Sequence, residues 1–276
     1  MALPNFLIIG AQKAGTTWLG RQLDQHPEIF CYPQEIHFFD KDYNYSRGLD
    51  WYENHFRGAG PHKVIGEKTP DYLWANGQGT EGHLAKVHNN LHAAIPTAKL
   101  IVILRNPVDR AISAVRHIIR SGRISPFQSL DDLLIGSKQE LLSGHGVIEY
   151  GHYADQLKAY YELFNPNQFL ILTFEDDIVD QPALGLRKAC EFLEVDFEYA
   201  FSGLTEKANE GRMSLPGLAI NYYLPLSKVL GDRLNRHLPP YRLHPGEATV
   251  KSLYRHYASH NERLFSLLGR DIPAWS

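Results

Sequence analysis

The sequence predicts an α/β fold in three layers, a central parallel sheet flanked by helices. Three features carry that expectation. An apolar run, Phe6–Ile9, enters a glycine-bracketed loop and then a helix opening at Thr16. A second run, Lys99–Leu104, is continuously apolar, as a strand buried on both faces requires, and Pro107 opens a helix just after it. Strand and helix patterns then alternate along the chain, with no repeat, low-complexity tract or Pro-, Gly- or Ser-rich linker to divide it, so residues 1–276 read as one domain.

The elements follow in order. Strand Phe6–Ile9 leads to helix Thr16–Gln25, which His26-Pro27 stops. The segment from Glu28 to Gly60 shows no period and reads as irregular; it carries Glu35 and many aromatic residues. A short strand, Val64–Gly66, runs into a loop, Glu67-Lys68-Thr69-Pro70. Helices are expected at Gly82–Ala94, Pro107–Ser121, Leu130–Leu142, Tyr153–Phe164 and Pro182–Leu193, with a strand at Phe169–Phe174. The last helix, Ala248–Leu268, brings Val250, Leu253, Tyr254, Tyr257, Leu264 and Leu268 round at helical spacing. The Leu- and Pro-rich region Ser202–His244 suggests a lid or a partner surface.

Phe6–Trp18 reads as a phosphate cradle. Gly10 and Gly15 let the backbone bend so that successive N–H groups and the helix N-terminus converge on one anion. A nucleoside-triphosphate loop, G-x-x-x-x-G-K-[ST], has its lysine directly after the second glycine. Thr16 stands there instead, and the lysine, Lys13, lies inside the loop, against a 5′-phosphate group. The strand Lys99–Leu104 ends in Arg105-Asn-Pro, where a triphosphatase favours an aspartate for magnesium. An arginine suggests direct neutralisation of a second phosphate, helped by Ser113 on the following helix. Such a ligand has phosphates at two places and no obligatory metal.

With those residues in view, the sequence resembles the sulfotransferases that use 3′-phosphoadenosine 5′-phosphosulfate (PAPS), whose fold is P-loop-like. Gly10–Trp18 is similar to their 5′-phosphosulfate loop, and Leu104–Ser113 to their 3′-phosphate segment. Glu35-Ile-His-Phe-Phe-Asp40, Tyr45–Tyr52, Glu67-Lys-Thr-Pro-Asp-Tyr72, Asn261–Phe265 and Pro273-Ala-Trp275 resemble the heparan sulfate branch in order and spacing. The likeness is dense from Pro4 to about Gly122 and patchy after it.

The resemblance implies sulfuryl transfer from PAPS, with 3′,5′-adenosine bisphosphate as product. It makes Glu35 the general base; a carboxylate beside Ile36, Phe38 and Phe39 is expected to be desolvated and so a better base near neutral pH. His37 and Asp40 are expected to orient Glu35 or the acceptor. Without the flanking motifs, Glu35 reads as a solvated loop carboxylate and His37 as a core residue. Lys13, then Lys68, are expected to neutralise the departing phosphate; an ordinary exposed pair is the alternative for Glu67 and Lys68. The donor is expected to rest on Lys13, Ala14, Gly15, Thr16, Thr17 and Trp18, on Arg105 and Ser113, and on Gly211 and Arg212 of a late loop. That loop has Glu210-Gly211-Arg212 where the heparan sulfate branch has Lys-Gly-Arg, and Arg212 also reads as a surface arginine. A kinase-like nucleoside triphosphatase and a non-catalytic nucleotide-binding module are the rival readings.

Composition narrows the acceptor. A net charge of -3 suits a polyanion-binding cleft poorly. A hydroxylated or amino-bearing small molecule fits better than a glycosaminoglycan, and a carrier-bound hydroxyacyl chain is a further alternative. The aromatic segment from Phe38 to Phe56 is expected to line its pocket, with Tyr45, Trp51 and Tyr52 as walls. Arg110, Arg116, Arg120 and Arg123 read as a solvated basic face, with attraction of an anionic acceptor or cofactor as the alternative. No apolar run approaches the ~20 residues that span a bilayer, no leader or anchor is expected, and two cysteines, Cys31 and Cys190, point to a reducing compartment, the cytoplasm of a bacterium. No nucleic-acid or membrane partner is expected, and oligomeric state is left open. His88/His92 and His256/His260 are each four apart, but neither pair has a third ligand nearby in sequence, so no metal is expected.

Overall fold

The computed structural model describes residues 3–75, 84–205 and 213–275. Its sheet follows from the apolar runs: β1 (Phe6–Gly10) is buried at every residue and takes the central place, because a strand with no polar face must be covered on both sides. Strand β2 (Ile29–Tyr32), β3 (Val64–Lys68), β4 (Lys99–Leu104) and β5 (Phe169–Thr173) complete the order β2-β3-β1-β4-β5, and every pairing is parallel. Leu7 lies opposite Glu67 and Leu100, and Leu104 opposite Thr173. With β1 between β3 and β4, the chain leaves β1 for β2 on one side and crosses from β3 to β4 on the other, and the carboxyl ends of the strands open on a crevice at that switch.

The helices are α1 (Thr16–Leu23), two short turns α2 (Asp42–Tyr45) and α3 (Leu49–Glu53), α4 (Val87–Ala94), α5 (Pro107–Arg120), α6 (Leu130–Leu134), α7 (Tyr153–Tyr161), α8 (Pro182–Leu193), α9 (Leu215–Tyr223), α10 (Lys228–His237) and α11 (Glu247–Leu268). Pro107 sits at the start of α5 and Asn106 caps it, accepting from the N–H groups of Val108 at 3.0 Å and Asp109 at 3.4 Å. One apolar core covers the sheet; a second joins α5, α6, α9 and α11 through residues such as Val115, Leu133, Leu218 and Leu253. Among the described residues no helix is long and apolar enough to cross a membrane.

Several boundaries differ from the sequence reading. β2 lies inside the segment expected to be irregular: four residues between Pro27 and Pro33 are too few for periodicity, and pairing with β3 supplies what the local signal lacks. β3 runs on to Lys68, so Glu67 and Lys68 are strand residues with side chains on opposite faces. The expected helix Leu130–Leu142 breaks after Leu134 at Gly136 and resumes as a 3₁₀ turn, Gln139–Leu142. The expected start of the helix at Gly82 lies outside the described residues; α4 begins at Val87. Ser202–His244 contributes α9 and α10, packed against each other, and Gln139–Leu142 and Pro225–Ser227 are 3₁₀ turns.

Candidate active site

The sequence-predicted residues collect at one end of the sheet, because each follows the carboxyl end of a parallel strand: Lys13 after β1, Glu35 after β2, Lys68 closing β3, Arg105 after β4. The cradle between β1 and α1 is shaped by its backbone. Gly15 has φ 87°, a left-handed conformation that strains other residues, and it caps α1 without a side-chain hydrogen bond, so the first N–H groups of α1 are left for an outside acceptor. A Cβ on Gly10 would lie 2.5 Å from Leu73 Cβ, which leaves no space for any side chain. Ala14, Thr16 and Trp18 have buried side chains; the Ala14 N–H is donated to Ala11 O at 3.1 Å, so what Thr16, Thr17 and Trp18 offer an anion is chiefly the main chain of this turn.

Arg105 reaches back to that turn. Its Nη1 donates to Lys13 O at 2.8 Å, its guanidinium lies 4.6 Å over the Phe174 ring, and its Nε is buried with no acceptor among the described residues. A buried, incompletely satisfied guanidinium beside a row of N–H groups is suited to a phosphate oxygen. Ser113 is half-buried on α5 two turns beyond Asn106. Burial, then the Arg120 charge, lowers the Lys13 ammonium; Glu35 opposes the shift and Arg105 adds to it. Desolvation, then Lys13, Arg123 and Arg120, pushes His117 down to about 4. The basic run along and just after α5 is therefore no uniform solvated face. Arg110 is wholly buried and donates to Val147 O, Arg116 Nε donates to Leu243 O at 2.7 Å, and Arg120 and Arg123 add positive charge around His117.

Glu35 stands between two cations. Its Oε1 is 3.8 Å from Lys68 Nζ and its Oε2 3.4 Å from His37 Nε2. His37 in turn meets Asp40 Oδ2 at 2.9 Å and Asp71 Oδ2 at 4.0 Å. Burial alone would lower the His37 pKa, but the hydrogen bonds to Asp40 and Glu35 and the charges of Asp40 and Asp71 outweigh it and raise it to about 10, so the ring is an imidazolium at neutral pH. The expected desolvation of Glu35 acts, raising its pKa, but His37, Lys68 and Lys13 more than cancel it. The net shift is downward, and the side chain is 38% exposed. Glu35 is thus held as a carboxylate by its neighbours rather than made more basic by an apolar pocket.

What holds the loop is a buried carboxylate that sequence reading treated only as a neighbour of Lys68. Glu67, fully buried, accepts from Tyr52 Oη at 2.8 Å, Tyr72 Oη at 2.9 Å and Thr69 Oγ1 at 2.7 Å. Those hydroxyls then accept main-chain N–H groups: Thr69 Oγ1 from Ile36 at 3.2 Å and His37 at 3.4 Å, Tyr72 Oη from Phe38 at 2.9 Å. The exposed Glu67–Lys68 pair is thereby replaced by two buried side chains, Lys68 being 5% exposed. Asp71 was also missed as a site residue, although it lies inside the motif that carried Lys68; it accepts from Gln12 Nε2 at 3.1 Å and so ties the cradle to His37.

The aromatic residues expected to wall a pocket mostly form core. Phe38, Phe39 and Tyr52 are buried, and Phe38 stacks on Tyr52 with centroids 4.6 Å apart, because their apolar faces satisfy one another; Trp51 is half-buried and Tyr45 stays partly exposed. A cavity of about 760 Å³ lies elsewhere, lined by Trp74, Leu133, Val147, Gln156 and His256 among others. Gly211 and Arg212 lie outside the described residues.

The family described as "Sulfotransferase domain" matches residues 3–212. The chain belongs to the sulfotransferase family. This PAPS-dependent sulfotransferase is 24% identical over 275 residues to human "Heparan sulfate glucosamine 3-O-sulfotransferase 5", covering 98% of the chain and 73% of the relative. It is 28% identical over 301 residues to mouse "Bifunctional heparan sulfate N-deacetylase/N-sulfotransferase 3", covering 99% of the chain and 31% of that larger protein. The solved sulfotransferase from Alicyclobacillus acidocaldarius superposes with a TM-score of 0.72 at 27% identity, covering 100% of this chain and 99% of that one. The sulfotransferase fold, a central parallel sheet flanked by helices, is the one expected from the sequence.

Proposed function

We propose that this sulfotransferase acts as a single domain, in a reducing compartment such as the bacterial cytoplasm, and moves a sulfuryl group from PAPS to a hydroxyl or amine of a small-molecule acceptor with Glu35 as general base. The observation that carries this reading is the placement of Glu35, half-exposed at the crevice, between Lys68 and the His37 imidazolium and on the same sheet end as the anion cradle. Glu35 takes the proton of the acceptor oxygen or nitrogen as that atom attacks sulfur in line, while the bond from sulfur to the 5′-phosphate oxygen breaks. Lys13 and Lys68 neutralise the charge that collects on that oxygen. His37 orients the Glu35 carboxylate. The N–H groups of residues 15–18 receive the 5′-phosphate beside Ala14, whose own N–H is donated to Ala11 O at 3.1 Å, and Arg105, Ser113 and, from outside the described residues, Gly211 and Arg212 receive the 3′-phosphate. As in phosphoryl transfer, positioning and charge stabilisation supply most of the acceleration, and no step in this scheme is routed through a metal.

Both cysteines are free and buried, which supports a reducing compartment. The small acceptor is supported by the net charge of -3. A glycan acceptor is the second reading, favoured by the heparan sulfate relatives and by the positive charges of Arg120 and Arg123 on the α5 side of the cradle.

The test is Glu35→Gln. Transfer from PAPS should fall about 10²- to 10⁴-fold in kcat while calorimetric affinity for 3′,5′-adenosine bisphosphate, measured without metal, stays near wild type. A near wild-type rate would remove Glu35 from the mechanism, and a preference for magnesium-ATP over the bisphosphate would overturn the donor assignment.

A further inference from the structure

Two histidine pairs at helical spacing are left over from the transfer chemistry. The core absorbs the first: His88 Nδ1 is 3.2 Å from Ala75 O, and His92 packs edge-on to Phe164 at 4.9 Å. The second is differently placed. His256 and His260 lie one turn apart on α11, and His152, which caps α7, comes up against both. His152 Nε2 is 3.0 Å from His256 Nε2, and the His152 ring stacks on His260 with centroids 3.8 Å apart and planes at 8°. One ring nitrogen from each of the three lies within 4.8 Å of the others.

We propose that His152, His256 and His260 form a binding site for one divalent transition-metal ion of the zinc class, separate from the sulfuryl-transfer centre. Zinc–nitrogen bonds of about 2.0–2.1 Å in tetrahedral geometry place ligand nitrogens roughly 3.3 Å apart. The His152–His256 pair has nearly that spacing, and His260, whose ring stacks on His152, turns out of that stack to bring its nitrogen onto the same ion.

The surroundings add two features of a working site. Arg263 Nη2 lies 2.7 Å from His260 Nδ1, and Asp155 Oδ2 lies 3.8 Å from the same atom. As the ring stands, Nδ1 accepts from Arg263; an ion on Nε2 moves the ring proton to Nδ1, so Arg263 swings onto Asp155 Oδ2, 3.6 Å from its Nη2, and the Nδ1–H turns to that carboxylate. His256, Glu149 and Asp155 line the 760 Å³ cavity, which opens a path for the ion and a water in the fourth position. None of Glu35, Lys13 and Lys68 lines it. The ion's place is that of a clamp: it joins the start of α7 to α11, whose Tyr257 donates to Ile148 O at 2.9 Å and whose Tyr254 Oη stands 3.4 Å from the Asn106 Nδ2 that precedes α5. The cluster His37–Asp40–Asp71 is unlike it, since His37 is held protonated by its carboxylate neighbours.

The experiment uses the full untagged chain, stripped with a chelator and titrated calorimetrically with zinc chloride alone. One ion per chain is expected, with a rise in Tm and, on cobalt substitution, the intense visible absorption of a four-coordinate centre. His256→Gln, at an exposed position that leaves packing intact, and His152→Ala should each weaken zinc binding by at least about tenfold and remove the Tm gain. His37→Gln should leave zinc binding unchanged. Absence of binding in the micromolar range, binding that survives His256→Gln, or binding lost in His37→Gln would overturn the proposal.

Discussion

At the scale of single residues, the protonation states of Glu35 and His37 set the pH behaviour. Glu35 has a lowered pKa, so in the proposed role of base it is ionised throughout the neutral range, and that role fails only as pH falls through a value below the usual carboxylate value of about 4.3. His37 has a raised pKa, so its contribution to stability is fully present below about 6.5 and is lost as pH rises through about 10. The rate of sulfuryl transfer should therefore be flat between about pH 5 and 9 and fall on an alkaline limb near 10. An inflection near 6.5 in kcat against pH would show that His37 titrates as a free imidazole and would break this account of the site. Glu67 acts at one remove, through the hydroxyls of Thr69 and Tyr72. Glu67→Gln keeps the volume but removes one pair of acceptor lone pairs, so it should raise the acceptor KM and lower kcat together, while affinity for 3′,5′-adenosine bisphosphate changes little. A loss confined to Tm would mean that the carboxylate is merely structural. Of these residues Glu35, His37 and Lys68 were legible in the sequence, because their motifs are contiguous. The direction of the Glu35 shift was not, because it sets burial against the His37 hydrogen bond and then the Lys68 charge, and the fold decides both how that hydrogen bond forms and how near Lys68 comes.

At the scale of elements, the proposed anion site consists of two strand-to-helix turns, and each can be tested by its backbone. Gly15→Ala puts a Cβ at φ 87° against Phe174 and Ile178, 3.1–3.2 Å away, and should cost about 1 kcal/mol or more, read by denaturant unfolding, with weaker bisphosphate binding. Asn106→Ala removes the cap of α5 and should cost about 1–2 kcal/mol. Because the same turn carries Arg105, bisphosphate affinity should drop with it; unchanged affinity would separate Arg105 from the 3′-phosphate. These turns were readable because glycine, proline and asparagine act locally. β2 was not, since four residues carry too little pattern and an edge strand is defined by its neighbour.

At the scale of the whole molecule, cations from several elements act on one crevice in a chain whose net charge is -3. Affinity for 3′,5′-adenosine bisphosphate should fall as salt rises from about 0.05 to 0.5 M, since the Debye length shrinks severalfold over that range. The acceptor KM discriminates the two acceptor readings. With a neutral small molecule it should stay flat over the same range, and with a polyanionic glycan it should rise steeply. The sheet centre carries the stability that holds these turns in place. Ile101→Ala on β4, a fully buried position, should cost about 2–5 kcal/mol and release both.

The sequence by itself determined the α/β class and the family, and it located the two strand-to-helix turns proposed to hold the donor, because each rests on contiguous residues whose apolar runs, glycines and caps act over a few positions. Only the tertiary structure decided that Glu35 sits between Lys68 and His37, that Glu67 anchors the Glu35 loop, that the aromatic segment is mainly core rather than pocket, and that a third histidine joins the pair on α11. Those facts depend on strand order and helix docking, which bring together residues as far apart as His152 and His256, and long-range packing of that kind leaves no periodic trace in the chain.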